Sequence, residues 1–150
     1  MKSSKSIYQY IPKIACILFS ILFIYAGTSK LLDFQNFKTQ LGQSPILTAY
    51  AEYVSWGIPS IEFILAGLLL FTKQILLGLY ASYALMVMFT AYIIIILNFS
   101  DYIPCSCGGV LESLGWTEHL IFNSGFVVLA ILSILILKRD SLKPNTISNV

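Results

Sequence analysis

Residues 75–97 read ILLGLYASYALMVMFTAYIIIIL, a run of 23 positions without a single charged side chain. About 20 helical residues cross the hydrocarbon core of a bilayer, so this run is long enough to span a membrane as one helix. Further apolar runs lie at 11–26, at about 53–71 and at 119–137. The sequence therefore predicts an all-α fold, an integral membrane four-helix bundle that forms one transmembrane domain.

The composition of the whole chain agrees with a bilayer as its solvent. Of the 150 residues 57% are hydrophobic and only 11% are charged, which lies outside the usual range of soluble domains. The chain contains no ATP-binding loop, no zinc-protease motif and no basic patch of the kind that binds nucleic acid. These classes of function are excluded, and the lipid bilayer is the first predicted partner.

The basic residues predict the orientation of the bundle. Seven of the nine precede the first run, lie in the turn after the second, or follow the fourth: Lys2, Lys5, Lys13, Lys73, Lys138, Arg139 and Lys143. The other two, Lys30 and Lys38, lie in the first loop, 27–52, on the opposite side. Because Lys and Arg collect on the cytoplasmic side, both termini are predicted to be cytoplasmic. The loop 98–118 has no basic residue and is predicted to be extracytoplasmic, in the periplasm if the membrane is a bacterial inner membrane. The polar tail 140–150 is predicted to be disordered.

This outer loop carries the segment YIPCSCGGV, residues 102–110, with Cys105 and Cys107 on either side of one serine. Their Cα atoms lie at most about 7 Å apart, so a bent backbone can bring them into disulfide range. Such a bridge would be strained, and strained, exposed disulfides exchange readily with a partner thiol. Thiol–disulfide exchange is favoured over a permanent bridge and over a metal site, for which His119 is the only obvious third ligand.

Cys16 lies inside the first run, far from the other two cysteines, and is predicted to be a buried apolar residue. The chain then has no second dithiol that could relay electrons internally. Electrons from Cys105 and Cys107 would pass to a partner protein or to a quinone.

Glu62 stands near the middle of the second run, where a carboxylate must be protonated or paired. Small and polar residues share its helical face, which should point into the bundle: Ser55, Pro59 and Ala66. A comparable stripe on the third run contains Tyr80, Tyr83 and Thr90. Glu62 and Tyr83 are therefore candidates for a quinone or proton site, and an interhelical hydrogen bond that only fixes packing is the equal alternative. Lys30 is a candidate ion partner for Glu62, although the apolar pattern places it at the outer boundary.

His119 opens the fourth run beside Glu118. A histidine at a membrane boundary usually has no functional role beyond placing an amphipathic side chain at the interface. The functional alternative is that it assists thiolate formation at Cys107 by charge or by proton transfer.

Several of these segments together resemble a known family. They are AGTSK at 26–30, Pro59 and Glu62 in the second run, and CSCGG at 105–109, followed by LGW at 114–116 and Asn123. This pattern resembles the MauE and DoxX-like group of redox-associated four-helix membrane proteins. The resemblance implies a role of the methylamine utilisation type, in which the membrane protein works with a thioredoxin-like periplasmic partner that matures a disulfide-rich enzyme subunit. The implied exchange roles fall on Cys105 and Cys107.

The leading hypothesis is thus a bacterial inner-membrane protein that supports periplasmic thiol–disulfide exchange, as a possible accessory to a thiol–disulfide oxidoreductase. Two alternatives stay open. The chain is either a non-catalytic assembly or scaffold subunit whose outer loop is a docking surface, or, with less support, a small-molecule transporter centred on Glu62. A bundle of four short helices is also a candidate homodimer.

Overall fold

The computed structural model describes residues 3–44, 46–71, 73–99 and 115–141, and these are helical over nearly their whole length. Helix α1 is Ser3–Leu32, α2 is Phe34–Gln43, α3 is Ala51–Phe71, α4 is Ile75–Phe99 and α5 is Trp116–Ser141. A short 3₁₀ turn, Thr48–Tyr50, precedes α3.

Within the described residues, four segments are long and apolar enough to cross a membrane: Tyr10–Leu32, Thr48–Phe71, Ile75–Phe99 and Trp116–Arg139. The predicted all-α bundle of a multi-pass membrane protein is confirmed.

The first membrane helix is longer than its apolar run. The run ends at Ala26, but α1 continues for six more residues to Leu32. The sequence GTSKLL at 27–32 contains no helix-stopping proline, and its one charge, on Lys30, is satisfied inside the bundle. Lys30 therefore lies inside α1, close to the end of the candidate span Tyr10–Leu32, and its side chain reaches inward to Glu62.

The four long helices form a closed ring. Helix α1 packs along α3 and α5, and α4 packs along α5 and more lightly against α3. Because the short turn between α3 and α4 makes these two helices antiparallel, one end of the bundle holds this turn, the start of α1 and the end of α5. The opposite end holds the end of α1, the start of α3, the end of α4 and the start of α5.

The end of the bundle next to the α3–α4 turn is tightly packed, and we call it the packed half. Its core includes Phe19, Leu79 and Ala130, all fully buried, and the Phe19 ring meets the Phe126 ring edge-on at 5.1 Å between centroids. Each buried serine donates a hydrogen bond to the carbonyl four residues earlier in its own helix: Ser20 to Cys16, Ser82 to Gly78 and Ser133 to Leu129. Cys16 itself is buried here, as its position in the first run predicts.

Helix α2 covers the opposite end. Phe37 and Leu41 on its apolar face are buried with Ala51 at the start of α3, and Leu47 and Val54 pack against them. The near-helical spacing of the apolar residues between Leu31 and Leu41 predicts an amphipathic helix in this segment. Helix α2 therefore closes the end of the bundle at which α3 and α5 begin.

Candidate binding cavity

The half of the bundle beneath α2 encloses a cavity of about 260 Å³, and we call this region the cavity half. All five helices contribute to its wall. Most of the wall is apolar, but a few polar side chains and several aromatic rings stand in it: Tyr25, Lys30, Glu62, Tyr92, His119 and Asn123, with Phe23, Phe37, Phe89, Trp116 and Phe122. A mainly apolar pocket with a few convergent polar groups is the usual form of a small-ligand site.

A buried ion pair joins α1 and α3 at this wall. The Lys30 Nζ donates a hydrogen bond to Glu62 Oε1 at 2.7 Å and a second one to the Ala26 carbonyl at 3.3 Å. The two charged side chains are only 12% and 1% exposed. Rings of Phe37 and Phe89 lie 6.0 and 5.9 Å from the ammonium, within the range of cation–π attraction. Two charges in an apolar bundle are tolerated because each neutralises the other.

A glycine allows α1 to approach α3 beside this pair. A Cβ atom at Gly27 would lie 3.0 Å from Cε2 of Phe63 and 3.4 Å from Oε2 of Glu62. The first distance is shorter than an ordinary van der Waals contact, so a side chain at position 27 would require the Phe63 ring to shift by a few tenths of an ångström. The absence of a side chain at this position thus leaves room for the Phe63 ring and the Glu62 carboxylate against α1.

Two buried polar atoms in the wall have no hydrogen-bond partner among the described residues. They are Oε2 of Glu62 and Nδ1 of His119. Buried polar groups are almost always paired, and leaving one unpaired costs about 1–3 kcal/mol. Oε1 of Glu62 is occupied by Lys30, so the same carboxylate has one satisfied oxygen and one available oxygen. This arrangement can accept a hydrogen bond from a bound molecule.

The structure brings together some of the residues that the sequence singles out. Glu62 is buried on the predicted face with Ser55, Pro59 and Ala66, which confirms that this face points inward. His119 stands in the cavity wall as well. Tyr83 does not line this cavity but packs against the core of the packed half.

Helix α4 supplies Tyr92 to the wall instead, and its hydroxyl donates a hydrogen bond to Ser44 Oγ at 3.0 Å. The sequence does not single out Tyr92, because the polar stripe predicted on this helix runs through Tyr80, Tyr83 and Thr90. Lys30 is the predicted ion partner of Glu62, and the ion pair confirms this prediction.

Cys105 and Cys107 fall in 100–114, outside the described residues, as does most of the polar tail at 142–150. Both flanks of the cysteine segment are described. Phe99 ends α4, and Trp116, which begins α5, stands in the cavity wall. Among the described residues no group of three or more His, Cys, Asp or Glu side chains is placed to hold a metal ion.

A family model described as "Methylamine utilisation protein MauE" matches residues 8–136, which is most of the chain and includes every residue of the cavity wall. No curated protein and no solved structure gives a significant match.

Proposed function

We propose that this chain, which belongs to the MauE family of methylamine utilisation proteins, supports thiol–disulfide exchange through Cys105 and Cys107 on the outer face of a bacterial inner membrane. The expected partner is a thioredoxin-like periplasmic protein that matures or maintains the disulfides of a secreted enzyme. In this proposal the bundle is a platform, and the loop between α4 and α5 carries the reacting sulfur atoms.

The observation that carries the proposal is the attachment of the cysteine segment to the cavity half. The segment 100–114 leaves α4 at Phe99 and returns to α5 just before Trp116 and His119, two residues of the cavity wall. The two cysteines are therefore tied by short lengths of chain to the one end of the bundle that combines aromatic rings with buried polar groups. A dithiol that short lengths of chain connect to a built cavity favours a working pair over a stabilising bridge.

The chemistry needs no metal. A thiolate of the partner attacks one sulfur of the Cys105–Cys107 disulfide, a mixed disulfide forms, and the other cysteine of this chain leaves as a thiolate. The second partner thiolate then attacks the mixed disulfide and releases the first cysteine. Two electrons and two protons have passed from the partner dithiol to this chain, and the same steps in reverse reduce a partner disulfide.

The distribution of charge supports the proposed orientation. The described basic residues at the packed end, Lys13, Lys73, Lys138 and Arg139, would face the cytoplasm by the positive-inside rule. The cysteine segment then faces the periplasm, where disulfides persist.

A trapping experiment tests the proposal. In a Cys16→Ala background the only thiols left are Cys105 and Cys107, and Cys107→Ser and Cys105→Ser are then compared in intact cells after acid quenching and alkylation. We expect one of the two single variants to accumulate a mixed disulfide with a secreted protein, because the resolving thiol is missing. The Cys16→Ala parent should show both thiols oxidised in part and no stable adduct.

Two results would contradict the exchange role. One is a Cys105–Cys107 bridge that stays fully oxidised when a mild reductant is added to the cells. The other is full function of the Cys105→Ser/Cys107→Ser double variant in vivo. If that double variant still co-purifies with a secreted partner, the chain acts as an assembly subunit without redox chemistry.

A further inference from the structure

We infer that the cavity between the five helices binds a membrane quinone, with the ring seated among the aromatic side chains and its oxygens facing Glu62, Lys30 and His119. The proposed site consists of described residues of the cavity wall.

The size and the wall of the cavity fit a substituted six-membered ring. A dry cavity of about 150 Å³ is already sufficient for benzene, and this one measures about 260 Å³. Aromatic rings from α1, α2, α4 and α5 stand in its wall, among them Phe23, Phe89 and Phe122. Flat aromatic surfaces on several sides suit a planar ligand, because offset stacking and edge contacts add to simple burial.

The polar groups of the wall select the chemistry of the ligand. Lys30 has three N–H donors and spends two of them on Glu62 and on the Ala26 carbonyl. The second carboxylate oxygen of Glu62 and Nδ1 of His119 are buried without a partner among the described residues. A donor, an acceptor and a group that can serve as either one match a ring whose oxygens are carbonyls when oxidised and hydroxyls when reduced.

A lipid tail fits this wall less well. It would satisfy the apolar surface but would leave the Glu62 oxygen and the His119 nitrogen unpaired, at the full cost of burying them. A quinol has a lipid-soluble tail together with ring hydroxyls, and a hydroxyl can donate to the Glu62 oxygen, so the reduced form satisfies both parts of the wall. In the oxidised form the ring carbonyls can accept from Lys30.

The wall of the cavity reaches the surface of the bundle that lipid would cover. Two of its wall residues, Tyr25 and Met88, are 37% and 48% exposed. Both lie inside segments long enough to cross a bilayer, so their exposed surface faces the region that lipid would occupy. A quinone dissolved in the bilayer could enter here without passing through water.

Binding stands by itself, but its redox consequence rests on the proposed function. Oxidation of two thiols to the Cys105–Cys107 disulfide releases two electrons and two protons. Reduction of one quinone to the quinol consumes the same number of each. The bound quinone would then be the oxidant that keeps the cysteine pair ready for its partner.

The two tryptophans of the chain provide the test, because Trp116 lines the cavity and Trp56 does not. Trp56 stacks on Phe34 at the outer surface, with 4.6 Å between ring centroids. Purified Trp56→Phe protein, in which Trp116 is the only indole, is titrated with ubiquinone-1 in detergent, and Trp116→Phe protein is titrated in parallel. We expect saturable quenching of Trp116 and only the linear quenching of a ligand dissolved in the micelle for Trp56.

Variants in the Trp56→Phe background locate the site. Glu62→Gln replaces an accepting carboxylate oxygen by a neutral amide, so it should weaken binding of ubiquinol-1, whose hydroxyl can donate to Glu62, about tenfold. Binding of ubiquinone-1, whose ring oxygens only accept, should weaken far less. Ala26→Leu fills the cavity without removing a polar group and should abolish saturable quenching even if Glu62→Gln folds poorly. Ala84→Leu, which adds the same bulk to an exposed position of α4, should bind like its parent.

The inference is overturned if Trp116 and Trp56 are quenched alike and linearly, or if Ala26→Leu binds ubiquinone-1 as tightly as Ala84→Leu does. It is also overturned if oleate displaces ubiquinone-1 at equal concentration, because the cavity is then a general lipid site. The Cys105→Ser/Cys107→Ser variant separates the two proposals. Saturable binding in that double variant, together with no mixed disulfide from either single variant, Cys105→Ser or Cys107→Ser, in the Cys16→Ala background, would sink the exchange role and leave the quinone site standing.

Discussion

The two halves of the bundle bury polar groups in opposite ways. In the packed half, Ser20, Ser82 and Ser133 donate to carbonyls of their own helices, so each hydroxyl is satisfied locally. In the cavity half, Lys30 and Glu62 satisfy each other across two helices, and one oxygen of Glu62 has no partner among the described residues. Locally satisfied hydroxyls tolerate close packing and require nothing from outside the bundle.

The difference separates structure from function in a chain where most side chains are apolar. A bundle in lipid gains little from the hydrophobic effect between helices, so packing and hydrogen bonds hold it together. The packed half uses both fully. The cavity half gives up packing around Glu62 and His119, and such a loss is retained in a protein when the site binds something.

The largest expected effect comes from breaking the ion pair of the cavity half. Glu62→Leu leaves the Lys30 ammonium buried without its partner, and such a change costs about 3–5 kcal/mol. Unfolding by SDS in mixed micelles measures the loss. The double variant Lys30→Leu/Glu62→Leu should recover most of this stability, because no unpaired charge is then left in the bundle.

The matched control is Ser82→Ala in the packed half. It removes a hydrogen bond within one helix and should cost less than about 1 kcal/mol. If Glu62→Leu is as mild as Ser82→Ala, the ion pair does not hold α1 and α3 together and the contrast between the halves fails.

The next largest effect is expected from truncating one of two rings that both pack against Phe126. Phe19 lies on the packed side of Phe126 with centroids 5.1 Å apart, and Phe122 lies on its cavity side with centroids 4.9 Å apart. Phe19→Ala opens a void in a filled core and should cost about 3 kcal/mol, at the low end for such truncations because lipid replaces water outside. Phe122→Ala enlarges a space that already exists. It should therefore cost only about 1 kcal/mol, less than half of the cost expected at a filled site.

The same SDS titration gives both values. Equal losses for Phe19→Ala and Phe122→Ala would mean that the cavity is filled in the folded protein, for instance by bound lipid that survives purification. Addition of ubiquinone-1 should stabilise the wild-type protein and leave Phe19→Ala with its full deficit.

The sequence predicts the bundle and the inner face of α3 for a clear physical reason. Uninterrupted apolar runs report membrane helices directly, and Glu62 is so costly in lipid that its face has to turn inward. The same logic does not locate the end of α1, because hydropathy assigns Lys30 to the outside when its charge is in fact neutralised within the bundle.

The inner face of α4 is harder to predict from the sequence than the end of α1. The predicted stripe of Tyr80, Tyr83 and Thr90 does not mark the cavity side of this helix, because none of the three lines the cavity. Tyr83 is as polar as Tyr92 and lies closer to the level of Glu62 along the chain, yet Tyr92 stands in the cavity wall and Tyr83 does not. Only the rotation of α4, which its neighbours set, decides between them.

Two glycines test the packing difference with a smaller change. A Cβ at Gly78 in the packed half would lie 2.7 Å from Cδ2 of Leu69, whereas a Cβ at Gly57 in the cavity half would meet nothing within 4 Å. Gly78→Ala should lower the free energy of unfolding by about 1 kcal/mol, because Leu69 is itself buried and must shift. Gly57→Ala should raise it by up to about 1 kcal/mol through helix propensity. The same sign for both variants in SDS unfolding would contradict the assigned packing.

The smallest effect is expected from the second ion pair, Lys38–Glu52, which joins α2 to α3 at the outer end of the cavity half. Its side chains are 37% and 59% exposed, in contrast to the buried Glu62. Exposed pairs contribute about 0–1 kcal/mol and are screened by salt. Lys38→Gln should therefore change the SDS unfolding midpoint slightly at low salt, and about 0.5 M NaCl should remove even this difference because the Debye length then falls to a few ångströms. A loss comparable to that of Glu62→Leu would mean that α2 is held down by charge and that its apolar contacts with Ala51 contribute little to closing the cavity.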